Sequence, residues 1–290
     1  MASPRVSVIV PCLNAADTIG GQLDALARQE WDEPWEVVVA DNGSTDGTRE
    51  VVARWADRLP GLRVIDASAR QSAGHAMNRG VEEARGESVT FADADDEVGE
   101  GWLAALGTAL REHEFVACRQ DHAKLNEPWV QASREQRFDT GLPTTYFPPY
   151  LPYTGAGALG IRKELHERAG GFDEGLYLED LDYCLRVQLL GPRLHFVPDA
   201  VIHYRFRDSL GGIFRQAYNY GRGMAAVQRK HKPRGTRFPG QRKWLVTGWK
   251  PVLLELPNAR RKGGRARLAW ILGGQLGRYR GSFEHRVLAV

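Results

Sequence analysis

Apolar residues in the first hundred positions fall into short blocks that alternate between two periods. Val6-Ser-Val-Ile-Val10 is a nearly continuous apolar run, the pattern of a strand buried on both faces, and Pro11-Cys-Leu-Asn14 ends it with turn chemistry. Asp17 or Thr18 then caps a helix whose Ile19, Leu23 and Leu26 recur at helical spacing. Glu36-Val-Val-Val-Ala40 is a second strand, closed by the polar, Gly-rich loop Asp41–Thr48, which feeds a helix carrying Val51, Val52 and Trp55. Leu62–Ile65 reads as a third strand, Gly74–Ala84 as a third helix, and Val89 and Phe91 mark a fourth strand. Strands alternating with helices at this pitch predict a mostly parallel α/β sheet with right-handed crossovers.

The later pattern is less regular. A helix near Gly101–Glu112 and a strand near Phe115–Arg119 lead into a segment where Pro143, Pro148, Pro149 and Pro152 lie among Tyr146, Phe147, Tyr150 and Tyr153. Prolines this dense exclude a helix interior or a central strand, leaving an ordered loop over a cleft or a plain connection. Arg162–Ala169 reads as a short helix. Leu181, Leu185 and Leu189 form a stripe at i, i+4, i+8 in a helix that stops at Gly191-Pro192. The predicted organisation is a catalytic domain over 1–210, with a nucleotide-binding half at 1–100 and an acceptor half at 101–210. A helical extension follows over 211–290.

Candidate chemistry collects where the strands end. The fourth strand runs into Asp93-Ala-Asp-Asp96, and Asp is a poor strand residue, so these carboxylates sit on the loop at its C-terminal edge. In an open α/β sheet that edge is where ligands bind. Three clustered carboxylates suit a hard divalent ion such as Mg²⁺ or Mn²⁺; a solvated helix-capping turn is the plainer alternative. Asn14, Asp41 and Asp93 close three strands that converge on the same edge, which favours the metal and diphosphate reading. Glu179 and Asp180 open the Leu181 helix, where they complement its dipole and stay ionised, as a general base requires. Gly155-Ala-Gly-Ala-Leu-Gly160 matches G-x-G-x-x-G, but no clean strand precedes it, so its glycines read as close backbone approach rather than dinucleotide binding.

Charge changes the picture of the tail. The net charge of +3 conceals −14 over residues 1–204 (19 Lys and Arg against 33 Asp and Glu) and +17 over 205–290 (20 against 3). In the tail, Trp244, Trp249 and Trp270 alternate with basic residues, including the run Arg260–Arg267, in the composition of an interfacial helix on an anionic membrane. Helices packed on the acidic body are the alternative, and nucleic acid is an unlikely partner because no recognised motif accompanies the charge. Cys12, Cys118 and Cys184 are far apart with no C-x-x-C pair, which argues against disulfides and zinc. With no apolar leader and no run of the roughly 20 apolar residues a spanning helix needs, the expectation is a cytoplasmic protein, peripheral on the inner membrane face.

With Pro11-Cys-Leu-Asn14, Asp41-Asn-Gly-Ser-Thr-Asp-Gly47, Asp93-Ala-Asp-Asp96, Gly170-Gly-Phe-Asp-Glu174 and Glu179-Asp180 in this order, residues 5–205 resemble the family 2 glycosyltransferases. These are inverting, sugar-nucleotide-dependent enzymes of the GT-A fold. The resemblance implies a GT-A-like domain that moves a sugar from a nucleoside-diphosphate sugar to an acceptor hydroxyl with Mn²⁺ or Mg²⁺. It implies nucleotide contacts from Pro11, Leu13, Asn14, Asp41, Asn78, Asp93 and Ala94. The metal falls to Asp95 with Asp93 and Asp96, joined by His203 after the last strand, although a structural histidine there is the alternative. Asp180 is the implied base, beside Glu179. Two positions depart from the pattern. Asn42 replaces a common second acid, and Met77 stands where many members carry Arg, leaving Arg70 or Arg79 to supply a cation. The rival readings are a metal-dependent nucleotidyltransferase and a catalytically silent nucleotide- or carbohydrate-binding module.

Overall fold

The computed structural model describes residues 3–145, 147–232 and 247–288. The first half follows the alternation: β1 (Val6–Cys12), α1 (Ile19–Ala27), β2 (Trp35–Asp41), α2 (Thr48–Ala53), β3 (Arg63–Asp66), α3 (Ala73–Glu83) and β4 (Ser88–Phe91). A short β5 (Glu97–Val98) precedes α4 (Trp102–Glu112), β6 (Phe115–Asp121) and the single turn α5 (Pro128–Gln131). Then come β7 (Leu159–Arg162), α6 (Lys163–Ala169), α7 (Glu179–Leu189), β8 (His195–His203) and α8 (Leu210–His231). The tail adds α9 (Lys250–Glu255) and α10 (Lys262–His285).

Eight strands form one mixed sheet in the order β3-β2-β1-β4-β7-β6-β8-β5. β1 to β4 pair in parallel, as does β6 with β8; β7 runs antiparallel between β4 and β6, and β5 is an antiparallel edge. Parallel strands must be covered on both faces, and here each face has its own core. Ile19, Leu23, Trp102 and Leu106 of α1 and α4 cover one side, while Met77, Leu165, Tyr183 and Val187 of α3, α6 and α7 cover the other. That burial explains the unbroken apolar runs in β1 and β2. Edge strand β3 alternates half-buried and exposed positions instead.

The Pro- and Tyr-rich segment carries one isolated bridge, Thr144 to Pro152, and is anchored by buried Phe147 and Leu151. Both pack with Leu181, Leu185 and Val227, so the loop lies against α7 and α8. Tyr146 lies outside the described residues. Leu189, the third member of the predicted stripe, is 51% exposed, because the loop and α8 cover only the first two turns of α7. All three cysteines are free and buried.

The tail is built onto the body. α8 and α10 run side by side with their backbones in contact: a Cβ added at Gly273, Gly277 or Gly281 would strike the carbonyls of Phe214, Tyr218 and Arg222 in turn. Small residues at every fourth position allow this approach. At its C-terminal end α8 is pinned to α7 by Asp182, whose carboxylate accepts from Lys230 (2.8 Å) and His231 (2.8 Å) and pairs with Arg186 (2.8 Å). Trp270 is half-buried, stacked on the Arg134 guanidinium and edge-on to Tyr220, and the Trp249 indole donates to the Tyr279 hydroxyl. Trp244 lies outside the described residues. The exposed large apolar side chains described in the tail are Leu253, Leu254, Leu256, Leu276, Phe283 and Leu288, the most exposed being Leu253, Leu254 and Phe283. No helix among the described residues is long and apolar enough to cross a membrane.

Candidate active site

The acidic loop after β4 is shaped by its neighbours. The Asp96 backbone N–H donates to the Asp93 carbonyl, and Gln22 of α1 brackets the turn, donating to the Asp93 carbonyl (3.2 Å) and accepting from the Val98 N–H (2.9 Å). One oxygen from each of Asp93, Asp95 and Asp96 lies within 4.8 Å of the others. Asp96 is buried; one of its oxygens accepts from the Arg205 N–H (2.7 Å), and the other has no partner among the described residues. Burial, then the charges of Asp95 and Asp180, push the Asp93 carboxyl up to about 7, and burial with Asp93 and Asp95 raises Asp96 well above the usual carboxylate range. A cluster of oxygen donors short of positive charge, with one buried oxygen unclaimed, fits a hard divalent cation.

Gly157 explains the glycine-rich stretch. A Cβ there would lie 2.7 Å from the Asp93 carboxylate, so the backbone before β7 approaches that acid as only glycine allows. β7 follows at once as an antiparallel strand, which removes the strand–turn–helix context a dinucleotide fingerprint requires.

Across the cleft, Leu178 holds φ +72°, a left-handed conformation costly for a branched side chain, and delivers Glu179 and Asp180 at the start of α7. Both acids line the cleft with Asp93, Pro11 and Met77. One Asp180 oxygen accepts from the Leu181 N–H (2.7 Å), an orphan donor of the helix terminus. Burial and the charge of Asp180 push Glu179 up to about 8, whereas burial pushes Asp180 up only to about 6, its backbone hydrogen bonds opposing the rise.

The remaining predicted residues take other places. Asn14 staples two strand-end loops, accepting from the Thr45 N–H (2.8 Å) while its own N–H donates to Ser44 Oγ (2.9 Å). Leu13 beside it is exposed and Ala94 is buried. Asp41 is fully buried at the end of β2; burial raises its pKa, but bonds from Ser44 and Arg49 outweigh this and hold it below the usual range. Asn78 ties α3 to the Gly170–Glu174 turn, donating to the Phe172 carbonyl (3.0 Å) and Glu174 (3.1 Å) and accepting from the Phe172 N–H (2.8 Å). Its polar groups are thus used within the protein.

His203 does not join the carboxylate cluster. Its Nδ1 lies 2.6 Å from Asp121, while its neighbours Ile202 and Tyr204 line the cleft. Alternation along the strand turns it to the other face. Neither cation named for the Met77 position lines the cleft: Arg70 pairs with Glu174 and Arg79 with Glu82 and Glu83. Arg207 instead lines the cleft and meets Asp95 at 3.1 Å, and Arg205 donates to the Asp95 carbonyl (2.7 Å). Sequence reasoning missed Arg207, as it missed Tyr177, Tyr204, Gln216 and Tyr220, which complete the wall. The signal for Arg207 was its place just after the last strand, on the same sheet edge as the acids.

Known proteins share this architecture. Residues 7–170 match the model for glycosyl transferase family 2, and residues 89–273 match the model for glycosyl transferase family group 2. Glycosyltransferase AglE of Haloferax volcanii is 35% identical over 252 residues, covering 86% of this chain and 82% of that protein. YibD of Escherichia coli, an uncharacterized glycosyltransferase, is 32% identical over 144 residues, 48% of this chain and 41% of that protein; the chain spans less than half the length of the first curated relatives it matches. Among solved structures, the mannosyltransferase PcManGT from Pyrobaculum calidifontis, in complex with GDP-Man and Mn²⁺, superposes with a TM-score of 0.66 at 23% identity over 98% of this chain and 88% of that one. The fold is accordingly GT-A-like, and with the family model matched over more than half its length, the chain belongs to glycosyl transferase family 2.

Proposed function

We propose that the protein is an inverting glycosyltransferase that moves a sugar from a nucleoside-diphosphate sugar to an acceptor hydroxyl with the help of Mn²⁺ or Mg²⁺. The observation that carries this reading is the facing of two acidic groups across one cleft: the Asp93–Asp95–Asp96 cluster on the sheet edge and Glu179-Asp180 on α7. The first suits a metal-bound diphosphate, and the mannosyltransferase with a similar fold was solved with GDP-Man and Mn²⁺. A bound divalent ion would supply charge neutralisation for the leaving diphosphate.

The chain's own residues do the rest. Asp95, Asp93 and Asp96 hold the cation, and Arg207 beside Asp95 adds positive charge on the same side. Pro11 and the loop carrying Asn14 and Asp41 receive the nucleoside. Asp180 takes the proton of the attacking hydroxyl. Environments that push two neighbouring carboxyls apart mark their roles: Asp180 is the more easily ionised and Glu179 keeps its proton, ready to donate a hydrogen bond. One displacement needs one base, so no nucleophile is required. We further propose that the exposed Leu253, Leu254, Leu256 and Phe283, amid the positive charge of the tail, bring the enzyme to an anionic membrane surface.

Incubation with a panel of nucleotide sugars and Mn²⁺ tests the reaction. Release of nucleoside diphosphate from at least one donor, with the freed or transferred sugar of inverted anomeric configuration, is expected. Transfer of the nucleoside monophosphate to an acceptor with release of a sugar 1-phosphate would instead identify a nucleotidyltransferase.

A further inference from the structure

The cleft has a wall that none of the five motifs supplies. Gln216 and Tyr220 stand one turn apart on α8, and both face the cleft that holds Asp180. Burial, then the nearby charge of Asp180, raises the Tyr220 phenol, and its ring sits 5.9 Å from that of Tyr177. Because the base must lie against the attacking hydroxyl, residues sharing its wall are on the acceptor's side.

The orientation of Gln216 is dictated from behind. Arg134 Nη1 lies 3.1 Å from Gln216 Oε1. A guanidinium can only donate, so the amide must turn its oxygen to Arg134 and present its two N–H donors elsewhere. No described residue accepts from Gln216 Nε2.

Arg134 is itself fixed. Its guanidinium is sandwiched between the rings of Phe206 (4.1 Å) and Trp270 (3.7 Å), and Nε reaches Ser133 Oγ (3.3 Å). Among the described residues it has no carboxylate partner, and Nη2 is buried without a hydrogen bond. A cation held by two aromatic faces, with its in-plane donor spent on one amide, is costly as a stability device. It makes sense as a peg that sets Gln216. Trp270 comes from α10, so the far end of the chain reaches the cleft through this contact.

We propose that Gln216 and Tyr220, with Tyr177 beside Tyr220, form an acceptor subsite for a carbohydrate, in which Gln216 Nε2 donates to a sugar hydroxyl oxygen and Arg134 positions it. Resting on the glycosyltransferase reading, this names the acceptor's chemical class. Aromatic faces suit the C–H surface of a pyranose, and the Gln216 amide suits its hydroxyls; a bare acyl chain would leave that amide unpaired.

Saturation-transfer NMR with a panel of methyl hexopyranosides tests this, using the full chain loaded with Mn²⁺ and its preferred nucleoside diphosphate. Wild-type protein should bind at least one glycoside. Gln216→Glu keeps the size of the side chain and its contact with Arg134 but replaces the cleft-facing donor by an acceptor. It should weaken that glycoside roughly tenfold or more, with melting temperature not lowered, since the new carboxylate pairs with Arg134, and nucleotide affinity unchanged. Arg134→Met should weaken it as well by freeing the amide. Three results would overturn the proposal: no glycoside binding by loaded wild type, wild-type glycoside binding in Gln216→Glu, or an equal loss of nucleotide affinity, which would put Gln216 on the donor. If wild-type protein binds no nucleoside diphosphate at all, the glycosyltransferase reading falls first, and this one with it.

Discussion

Glu179 and Asp180 are neighbours in sequence, yet adjacent helical positions diverge by about 100°, and the cleft gives the two acids different environments. Asp180→Asn keeps shape and hydrogen bonding and removes only the proton acceptor. It is expected to lower turnover by roughly 10²–10⁴ with donor affinity little changed, whereas Glu179→Gln costs less or acts on acceptor affinity. Transfer rates at saturating donor, measured beside nucleotide affinity, separate the two; near wild-type turnover in Asp180→Asn would remove it as the base. At this scale the acids were legible in the sequence because each sits at an element end, where the chemistry of Asp overrides strand propensity. His203 misled because its position in the order of elements was right while strand alternation, invisible without the register, turned its ring toward Asp121. Gln216 and Tyr220 were illegible for another reason: a helix face reveals what it packs against only once its partners are known.

At the scale of elements, the alternation of strands and helices through β4 could be read directly, because buried parallel strands leave unbroken apolar runs. The antiparallel insertion of β7 could not, since nothing local distinguishes a strand that pairs backwards. Nor did the basic composition of α8 disclose its docking, in which Val227 joins the Leu181 and Leu185 cluster and Lys230 and His231 meet Asp182. That carboxylate is fully buried; burial raises its pKa, but bonds from His231, Lys230 and Arg186 outweigh this and hold it far below the usual range. A depressed carboxylate stabilises the fold above its unfolded pKa of about 3.9 and loses that contribution as pH falls through its lower folded value. Asp182→Asn leaves three cationic or titratable side chains facing a neutral amide. It is expected to cost about 3 kcal/mol at pH 7 and to lower the melting temperature by several degrees, with the difference from wild type shrinking below pH 4. Thermal melts across that range check this, and a pH-independent difference would assign the loss to packing instead.

At the scale of the whole molecule, an acidic catalytic body and a basic tail form one structure, and the cleft draws on both sides of residue 210. The tryptophans that suggested an interfacial tail are half-buried and engaged within the protein where they are described, and the side chains left most exposed include Leu253, Leu254, Leu256 and Phe283. Flotation with anionic vesicles should therefore retain the protein at low salt, release it at high salt, and respond to Leu253→Asp/Leu254→Asp more than to changes at Trp270. Protein remaining in the soluble fraction at low salt would make the tail a packing element only. The central claim concerns the cleft, and calorimetry addresses it most directly. Titration of a nucleoside diphosphate into the full chain should show tight binding with Mn²⁺, and much weaker binding with EDTA or in Asp95→Ala. Equal affinity under all three conditions would contradict a metal-bound diphosphate on the Asp93–Asp96 loop.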